Sequence, residues 1–478
     1  MISMNKNKTK IVATLGPVSR DEKIIEELIL AGANVFRINT SHNTAEEHKQ
    51  TIDKIKAVSK RLKAYTAVLV DLQGPKIRVG NLIEPIPIKE GQELVFQYGL
   101  EQTDKDIIPV DYKGVAQDVK PGEKILMDDG KIEVEVVEVN GDKVRAKVVH
   151  GELLKPRKGL NIPGATKSLS AITERDVDFI KFAVENDADY LALSFVRDKD
   201  DILLARKYLS HFGADIPIVA KIEKPEAVQN IKEIIETANA IMVARGDLGI
   251  ELSPEKVPMV QKQIIDLCLD YRKPCIVATQ MLESMIEEPI PTRAEASDVA
   301  NAILDGADAV MLSGETAAGK YPVEAVRTMS MIAHNVEQSD FLCTNLELEM
   351  NPEFEPTPQA IAHSAVTMAQ DLGAKAILAF THSGYTPRLL AKLRPEVPVI
   401  AISDCEKTCR KLNLCWDIYP YLKDWDVVLN DDLLKKIDKL LLEKTNYKKD
   451  ERIILIGSIP HLITGRTNFM RVHRIGAI

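Results

Sequence analysis

The chain has 478 residues, of which 45% are hydrophobic and 28% charged, and its formal net charge is -9. This acidic balance argues against nonspecific nucleic-acid binding and against docking on an anionic membrane, although local Arg and Lys can still bind phosphorylated ligands. No apolar run approaches the roughly 20 residues of a membrane helix, and Met1–Lys10 is too polar for a secretory signal. Because the six Cys show no CxxC spacing, we expect reduced thiols and a cytoplasmic protein.

The amino-terminal part of the chain alternates apolar strands with amphipathic helices. We predict strands over 8–17, 34–41 and 66–73, with helices over 21–32 and 44–62 between them. The rhythm breaks after Pro75, where the chain becomes rich in Gly and Pro and alternates apolar with polar residues. Two such runs flank the turn Asn140-Gly141, so we predict a small antiparallel β domain hinged at Pro75 and Gly159.

The alternation of strands and helices then resumes. We predict five further strands over 190–196, 217–223, 240–246, 274–280 and 309–315. Three strands before the insertion and five after it make the eight strands of a (β/α)8 TIM barrel. We therefore expect an α/β chain with a catalytic barrel over 1–74 and 159–340, an inserted antiparallel β-barrel lid domain over 75–158, and a C-terminal α/β regulatory domain over 355–478.

Charged and polar side chains gather where the predicted strands end. The apolar runs beginning at Ile218 and Ala240 are followed at once by charged residues. In a barrel the carboxyl ends of all strands face one mouth, where an α/β protein builds its site. Structural ion pairs are the alternative, but they would have to fall at the same end of seven strands. The residues at these ends are Arg37, Asn39, Ser41, Asp71, Ser194, Arg197, Lys221, Glu223, Arg245, Asp247, Thr279, Gln280, Ser313 and Glu315.

The chemistry of this set favours phosphoryl transfer. Glu223 and Asp247 follow neighbouring strands and can share one hard cation, Mg²⁺ or Mn²⁺. Backbone N–H groups of Gly246 and Asp247, with the Thr279 hydroxyl, can bind an anion. Clustered Arg and Lys side chains without an obvious nucleophile indicate a phosphorylated substrate. Lys221 would then be the point charge on the transferred phosphoryl group.

The same residues lie in motifs that resemble the pyruvate kinase family, and the resemblance covers nearly the whole chain. It implies a barrel with a lid and a C-terminal domain, and a homotetramer. It also implies transfer of the phosphoryl group of phosphoenolpyruvate to ADP, giving pyruvate and ATP, in the last step of glycolysis. The motifs are FRINTSH (36–42), VDLQGPKIRVG (70–80), AKIEKPEAV (220–228), IMVARGDLGIE (241–251), ATQMLESM (278–285), PTRAEASDVANAILDGADAVMLSGET (291–316) and TNFMRV (467–472).

The resemblance also implies roles for individual residues. Lys221 would stabilise the phosphoryl transition state and the enolate, and Arg37 would bind the substrate phosphate. Glu223 and Asp247 would hold Mg²⁺, and a second Mg²⁺ would arrive with the nucleotide. The substrate carboxylate would be bound by Gly246, Asp247 and Thr279, and the nucleotide would be contacted by Asn39, His42, Arg78 and Arg175.

One departure from the family pattern concerns a monovalent cation. Relatives bind K⁺ through residues that match Asn39, Ser41, Asp71 and the carbonyl of Leu72, and many carry Glu where Lys76 stands here. A Lys at that position can place its ammonium where the K⁺ charge is needed. We therefore expect the K⁺ ligands to be present and K⁺ not to be required. A solvated charge at the lid hinge is the alternative role for Lys76.

A second departure concerns regulation. The stretch containing Thr381, Ser383, Gly384 and Thr386 joins a predicted strand to a helix and resembles the family's effector loop for a sugar phosphate. An ordinary helix cap explains the same residues. His382, Tyr385 and the tail over 457–467 differ from the pattern that responds to fructose 1,6-bisphosphate. The identity of the phosphorylated effector thus stays open: it is another sugar phosphate, a nucleotide, or there is none.

Two other functions share parts of this sequence. A metal-dependent pyruvate-enolate aldolase or lyase would use the same carboxylate pair and an enolate, but it would not need a lid or Arg78. A catalytically silent metabolite sensor would be favoured by loss of Lys221, Glu223, Asp247 or Thr279, and all four are present.

Overall fold

The computed structural model describes residues 7–163, 169–346, 348–352, 354–423, 430–458 and 467–477. Most of the tail over 457–467, whose sequence bears on the effector, lies outside these ranges. The first elements are β1 (Lys10–Thr14), α1 (Glu22–Ala31), β2 (Val35–Asn39), α2 (Ala45–Leu62) and β3 (Ala67–Asp71). Helix α2 begins with a capping box between Thr44 and Glu47, a motif that satisfies the first free N–H groups of a helix.

The insertion after β3 forms a β domain with its own buried core, and we call it the lid. Six of its strands form one sheet in the order β11-β7-β8-β9-β5-β6, and β4 pairs with β10. Neighbours in the six-stranded sheet are antiparallel except β5 and β6. The strands are β4 (Ile86–Pro87), β5 (Glu93–Tyr98), β6 (Ile107–Val110), β7 (Lys124–Met127), β8 (Ile132–Asn140), β9 (Lys143–His150), β10 (Leu153–Leu154) and β11 (Leu160–Asn161).

Two chain crossings join the lid to the barrel, and they run side by side. The Leu160 amide donates to the Ile77 carbonyl at 2.9 Å, and the Val79 amide donates to the Lys158 carbonyl at 2.9 Å. Arg78 and Gly159 form an isolated antiparallel bridge between them. The hinge of the lid is therefore a short two-stranded ribbon.

After the lid the chain completes the barrel. The remaining barrel strands are β12 (Tyr190–Leu193), β13 (Ile218–Ile222), β14 (Ala240–Ala244), β15 (Cys275–Ala278) and β16 (Ala309–Leu312). The helices are α3 (Glu174–Glu185), α4 (Lys199–His211), α5 (Pro225–Gln229), α6 (Ile231–Thr237), α7 (Arg245–Glu251), α8 (Val257–Asp270), α9 (Arg293–Leu304), α10 (Gly314–Ala317) and α11 (Pro322–Glu337), with 3₁₀ turns at Pro254–Lys256 and Glu283–Ile286.

The eight parallel strands close in the order β1-β16-β15-β14-β13-β12-β3-β2, which confirms the predicted TIM barrel. Nearly every residue of these strands is buried, because one face packs inside the barrel and the other against the helices. All eight predicted barrel strands end one to three residues earlier than expected. At two of them, residues expected to continue the strand belong to a helix instead. Strand β14 stops at Ala244 and β16 at Leu312, and each is followed by a short helix.

The C-terminal domain is a five-stranded sheet in the order β19-β18-β17-β20-β21, with only β21 antiparallel. Strand β19 was not predicted, since Pro420 interrupts it; an edge strand tolerates Pro because one side needs no N–H donor. Its elements are α12 (Pro356–Asp371), β17 (Ile377–Thr381), α13 (Tyr385–Lys392), β18 (Val399–Ser403), α14 (Glu406–Leu412), β19 (Ile418–Leu422), α15 (Asp431–Lys444), β20 (Arg452–Gly457) and β21 (Phe469–Arg474).

Buried charges join this domain to the base of the barrel, the end opposite the mouth. The ammonium of Lys392 pairs with Asp308, which precedes β16, and the guanidinium of Arg394 lies 3.8 Å from the same carboxylate. At β1 the Lys10 ammonium donates to the Ile418 carbonyl at 3.0 Å. The Asp417 amide donates to the Lys8 carbonyl at 2.9 Å. The two domains therefore share hydrogen bonds and ion pairs away from water.

Asp417 makes the stability of this contact depend on pH. Burial raises the pKa of Asp417 to about 7, above its ordinary value, although Lys8 and Lys10 act in the opposite direction. A folded-state pKa above the unfolded one means that the stability it contributes is lost as pH rises from about 4 to about 7, by up to about 1.4 kcal/mol per pH unit. We therefore expect the melting temperature of Asp417→Asn, relative to that of the unmodified chain, to increase as the pH is raised from 5 to 7.

The measurement is the difference in melting temperature between variant and unmodified chain at pH 5, 6, 7 and 8. Asp432→Asn is the matched control, since Asp432 is mostly exposed and, among the described residues, forms an ion pair only with Lys436 four residues on. The control difference should stay constant across the series. A constant difference for Asp417→Asn as well would show that this carboxyl does not titrate in the window.

Candidate active site

Lys221 is the centre of the cluster at the barrel mouth. It lies near the end of β13, and its ammonium is 2.8 Å from Oε1 of Glu223 and 3.4 Å from Oδ1 of Asp71. It also donates to the Ser194 hydroxyl at 2.7 Å. The Lys221 side chain is only 11% exposed, so these three partners and not water fix its position.

Arg37 lies on the other side of Asp71. Its Nε donates to Oδ2 of Asp71 at 2.6 Å, and Nη1 donates to the Thr14 hydroxyl at 3.1 Å. Strands β2 and β3 are neighbours, with Asn39 opposite Asp71 in register, so both side chains reach the same mouth. Asp71 thus holds two cations next to each other, an arrangement suited to binding a phosphate.

The electrostatics of the cluster keep these groups charged. Burial alone would lower the pKa of Lys221, but the carboxylates of Asp71 and Glu223 raise it above the ordinary value. Burial alone would raise the pKa of Asp71, but Lys221 and Arg37 hold it below its usual range. Lys221 therefore carries a fixed positive charge, as expected for electrostatic stabilisation and not for proton transfer.

Glu223 and Asp247 fit a divalent cation. The Glu223 carboxylate is fully buried; Oε2 accepts from the Phe195 amide at 2.7 Å, while Oε1 faces Lys221. Burial raises the pKa of Glu223, and the nearby Asp247 carboxylate raises it further. A cation between the two carboxylates relieves that repulsion. Among the described residues no group of three His, Cys, Asp or Glu is placed to bind a metal, so water and substrate would complete the shell, as Mg²⁺ prefers.

Thr279 and Gly246, which we predict to bind an anion, lie in direct contact. The Gly246 amide donates to the Thr279 hydroxyl at 2.8 Å, and that hydroxyl donates to the Ala278 carbonyl at 2.6 Å. Thr279 has a φ of 69°, a left-handed conformation that costs energy for a β-branched residue and is typical of functional sites. The strain is held by Arg245, which donates to the Thr279 carbonyl at 2.7 Å and pairs with Asp298 at 2.7 Å.

The predicted nucleotide residues fall on two sides of the mouth. Arg175, at the start of α3, donates to the Thr40 carbonyl at 2.8 Å, so it lies against the loop carrying Asn39 and His42. In that loop the Ser41 amide donates to Asn39 Oδ1 at 3.1 Å. Arg78 lies on the hinge ribbon, where its guanidinium donates to the Arg157 carbonyl at 3.2 Å. Arg78 therefore belongs to the hinge ribbon of the lid, and Arg175 to the barrel.

Lys76 also belongs to the hinge. Its Cε packs 3.4 Å from the position that a Cβ on Gly159 would take. Within the described part of the chain no carboxylate lies within 4.0 Å of its ammonium. Asp71 pairs with Arg37 and Lys221 and not with Lys76. The Leu72 carbonyl, predicted as a K⁺ ligand, accepts from the Ser194 hydroxyl at 2.7 Å.

Some residues from the strand ends have structural roles instead. Arg197, which precedes α4, pairs with Asp201 of that helix at 2.8 Å. Glu315 accepts from the amides of Ser313 and Leu282, at 2.7 and 3.2 Å. These bonds agree with the alternative of structural contacts at strand ends. Conversely, the link from Lys221 through Ser194 to Leu72 could not be read from the sequence, whose only signal was a Ser at a strand end.

The loop at the start of α13, predicted from its resemblance to bind an effector, is already bonded within the protein. The Gly384 amide donates to the Thr381 hydroxyl at 2.9 Å, and the Thr386 hydroxyl shares a hydrogen bond with that of Thr467 at 2.6 Å. Gly384 has a φ of 80°, which explains the glycine at this helix start. No side chain of the described residues caps α13, so these contacts do not match the helix-cap alternative, and Ser383 is less buried than Thr381 and Thr386.

Comparisons with known proteins agree with this geometry. Residues 6–326 match the family model "Pyruvate kinase, barrel domain", and residues 359–473 match "Pyruvate kinase, alpha/beta domain". Pyruvate kinases of two Staphylococcus aureus strains, MRSA252 and USA300, are 43% identical over 98% of this chain and 80% of their own length. The crystal structure of a pyruvate kinase from Cryptosporidium parvum superposes with a TM-score of 0.90 at 33% identity, covering 98% of this chain and 96% of that one.

Proposed function

This chain belongs to the pyruvate kinase family, and we propose how the residues at its barrel mouth transfer the phosphoryl group of phosphoenolpyruvate to ADP, giving pyruvate and ATP. The observation that carries the proposal is the buried ammonium of Lys221, held 2.8 Å from Glu223 and 3.4 Å from Asp71, with Arg37 beside it. No observation favours the aldolase or the silent sensor.

In the proposed ground state the substrate is bound at both ends. Arg37 and Lys221 bind the phosphate of phosphoenolpyruvate, since both cations contact the carboxylate of Asp71 and so lie next to each other. The amides of Gly246 and Asp247, with the Thr279 hydroxyl, bind its carboxylate. The hydrogen bond between Gly246 and Thr279 would then be exchanged for bonds to the substrate.

During transfer the phosphoryl group moves from the enol oxygen to ADP. Lys221 stabilises the charge on the moving group and on the enolate that is left behind, because its ammonium cannot rotate away from Asp71 and Glu223. The family uses Mg²⁺ with K⁺, and here Glu223 and Asp247 would hold Mg²⁺ or Mn²⁺, which neutralises phosphate and enolate charge when bound.

On the nucleotide side, Arg78 of the lid hinge and Arg175 of α3 contact the phosphates, together with the loop containing Asn39 and His42. Closure of the lid would carry Arg78 over the mouth and exclude water from the transfer. The two antiparallel crossings of the hinge ribbon support this movement, since both covalent connections between the lid and the barrel lie side by side.

The chain is proposed to act in the cytoplasm as a homotetramer with a phosphorylated effector at the loop over 381–386. Large exposed apolar side chains on α8 and α11, in the loop before α9 and in the segment after α11 support self-association: Met259, Met331, Ile290 and Phe341. Within the described residues no helix is long and apolar enough to cross a bilayer.

The experiment that tests the function is pyruvate formation from phosphoenolpyruvate and ADP with Mg²⁺, first in buffer free of Na⁺ and K⁺ and then with added K⁺. We expect comparable turnover in both, because Lys76 would supply the charge of the monovalent cation when the lid closes. No turnover in either buffer by folded protein would contradict the kinase function. Turnover only with K⁺ would keep the kinase and refute the role of Lys76.

A substitution of Lys76 tests whether its ammonium replaces K⁺. Lys76→Glu is expected to make turnover depend on K⁺, by about tenfold or more, since it removes the internal cation and adds a negative charge. Lys158→Glu, also on the hinge ribbon but paired with Asp128 at 2.7 Å, is the matched control and should stay independent of K⁺. Equal K⁺ dependence in both variants would indicate a general effect of charge on the hinge.

A further inference from the structure

A second polar cavity lies between the base of the barrel and the C-terminal domain, at the end opposite the catalytic mouth. Its volume is about 300 Å³. The barrel contributes Arg272 and Lys273, which follow α8 and precede β15, and the C-terminal domain contributes Arg388 of α13 and Lys411 of α14. We call it the interdomain cavity.

The charge of this cavity is of one sign. Four cationic side chains line it, and no Asp or Glu does. Within the described part of the chain, none of the four has a carboxylate within 4.0 Å. Cations close by are paired: Arg410 binds Asp189 at 2.9 Å, and Lys407 binds Asp187 at 2.6 Å. The missing counter-charge is thus specific to the residues that line the cavity.

Main-chain carbonyls hold three of these cations in place. Arg272 donates to the carbonyls of Leu269 and Glu349, at 2.9 and 3.0 Å. Lys273 donates to the Ala238 carbonyl at 2.6 Å, and Arg388 to that of Ser383 at 3.1 Å. Carbonyls orient a cation but do not neutralise it, so the cavity is pre-organised with a net positive charge.

The cost of this arrangement appears in the pKa values. Burial, together with the positive charges of Arg388 and Arg206, lowers the pKa of Lys273 to about 8. Burial also lowers the pKa of Lys411, together with Lys407 and Arg388. Charged groups taken from water without a partner destabilise a fold, and an anion between them removes both the repulsion and part of the desolvation penalty.

We propose that the interdomain cavity binds a small phosphorylated metabolite, whose phosphate is held by Arg272 and Lys273 from the barrel and by Arg388 and Lys411 from the C-terminal domain. The volume is that of a small-ligand pocket. This site goes beyond the proposed function, since none of its cations faces the catalytic mouth. It differs from an effector held by the 381–386 loop alone, which would not need Arg272 or Lys273.

A ligand here would also couple the domains. It would add bonds across the contact that the Tyr190 hydroxyl already makes with the Lys411 carbonyl at 2.7 Å. Because the ligand binds the docked domains and not the separated ones, its binding energy stabilises their contact.

The test uses the full chain without Mg²⁺, titrated with inorganic phosphate and with glycerol 3-phosphate while its melting temperature is recorded. Glycerol is the uncharged control for glycerol 3-phosphate. Sodium chloride is added so that the ionic strength stays constant during the titration. The variant is the double substitution Arg388→Gln and Lys411→Gln. Lys407→Gln is the matched control, because Lys407 lies on α14 four residues before Lys411 but does not line the cavity.

We expect saturable stabilisation of the unmodified chain by both phosphates, not by glycerol. The apparent Kd should rise at least tenfold in the double variant and stay unchanged in Lys407→Gln. An unchanged Kd in the double variant, or equal stabilisation by glycerol, would overturn the proposal. If the double variant does not fold, Lys411→Gln alone carries the test, since its ammonium makes no hydrogen bond in the described chain. Binding is measured apart from turnover, so failure here and failure of the kinase assay are distinguishable.

Discussion

Replacing Lys221 with Met is expected to lower kcat by about 10³-fold or more, because the variant loses the positive charge that the transition state requires. The side chain is nearly buried and its ammonium has three protein partners, so no other cation can take its place without moving them. KM for phosphoenolpyruvate should change much less than kcat, since Arg37 still binds the phosphate. The measurement is steady-state kinetics with saturating Mg²⁺ and ADP.

Loss of an ion pair also destabilises a fold, and the control must separate that from catalysis. Lys392→Met is matched, because Lys392 is as buried as Lys221 and pairs with the buried carboxylate of Asp308, but at the base of the barrel. We expect a lower melting temperature and nearly normal kcat for folded Lys392→Met. A similar fall in kcat in both variants would assign the effect to stability and refute the role of Lys221.

Replacing Glu223 with Gln should mainly weaken the binding of the divalent cation. One of the two proposed carboxylate ligands becomes neutral, so the Mg²⁺ concentration for half-maximal activity is expected to rise about 10- to 100-fold. Gln can still accept from the Phe195 amide, which keeps the local backbone in place. Direct Mn²⁺ binding, measured by electron paramagnetic resonance, should weaken in parallel and does not depend on turnover.

Glu337→Gln is the control for this series. Glu337 is a buried carboxylate that accepts from the amides of Lys8 and Thr9 at 2.8 and 2.7 Å, at the base of the barrel. Its substitution should leave the Mg²⁺ dependence unchanged. Mn²⁺ binding by Glu223→Gln with unchanged affinity would exclude Glu223 as a ligand.

The barrel could be predicted because its physics is local. A parallel strand buried on both faces is a short continuous apolar run, and β1, β3, β13 and β14 all show it. The short helices after β14 and β16 could not be predicted in the same way. Arg245–Glu251 contains two Gly, and a helix of this length depends on tertiary contacts and not on propensity.

At the site, residue types could be predicted but not all of their partners. Lys221, Glu223 and Asp71 were expected at one mouth. The structure brings the carboxylates of Glu223 and Asp71 within 3.4 Å of the Lys221 ammonium. The bonds to Ser194 and Thr14 depend on the register between strands distant in sequence, which no local pattern encodes. The same holds for the partners of Arg245, which donates to the carbonyl of the strained Thr279 and pairs with Asp298.

The buried charges at the base of the barrel have a consequence for biosynthesis. Asp308 leaves the ribosome 84 residues ahead of Lys392, and Lys10 leaves it 408 residues ahead of its acceptor, Ile418. At usual elongation rates of 5–20 residues per second, the nascent barrel waits roughly 4–17 s for Lys392 with a carboxylate already committed to its interior. The barrel therefore completes its base only after the last domain emerges, and a chain released before residue 392 should be a substrate for chaperones and proteases rather than a free-standing barrel.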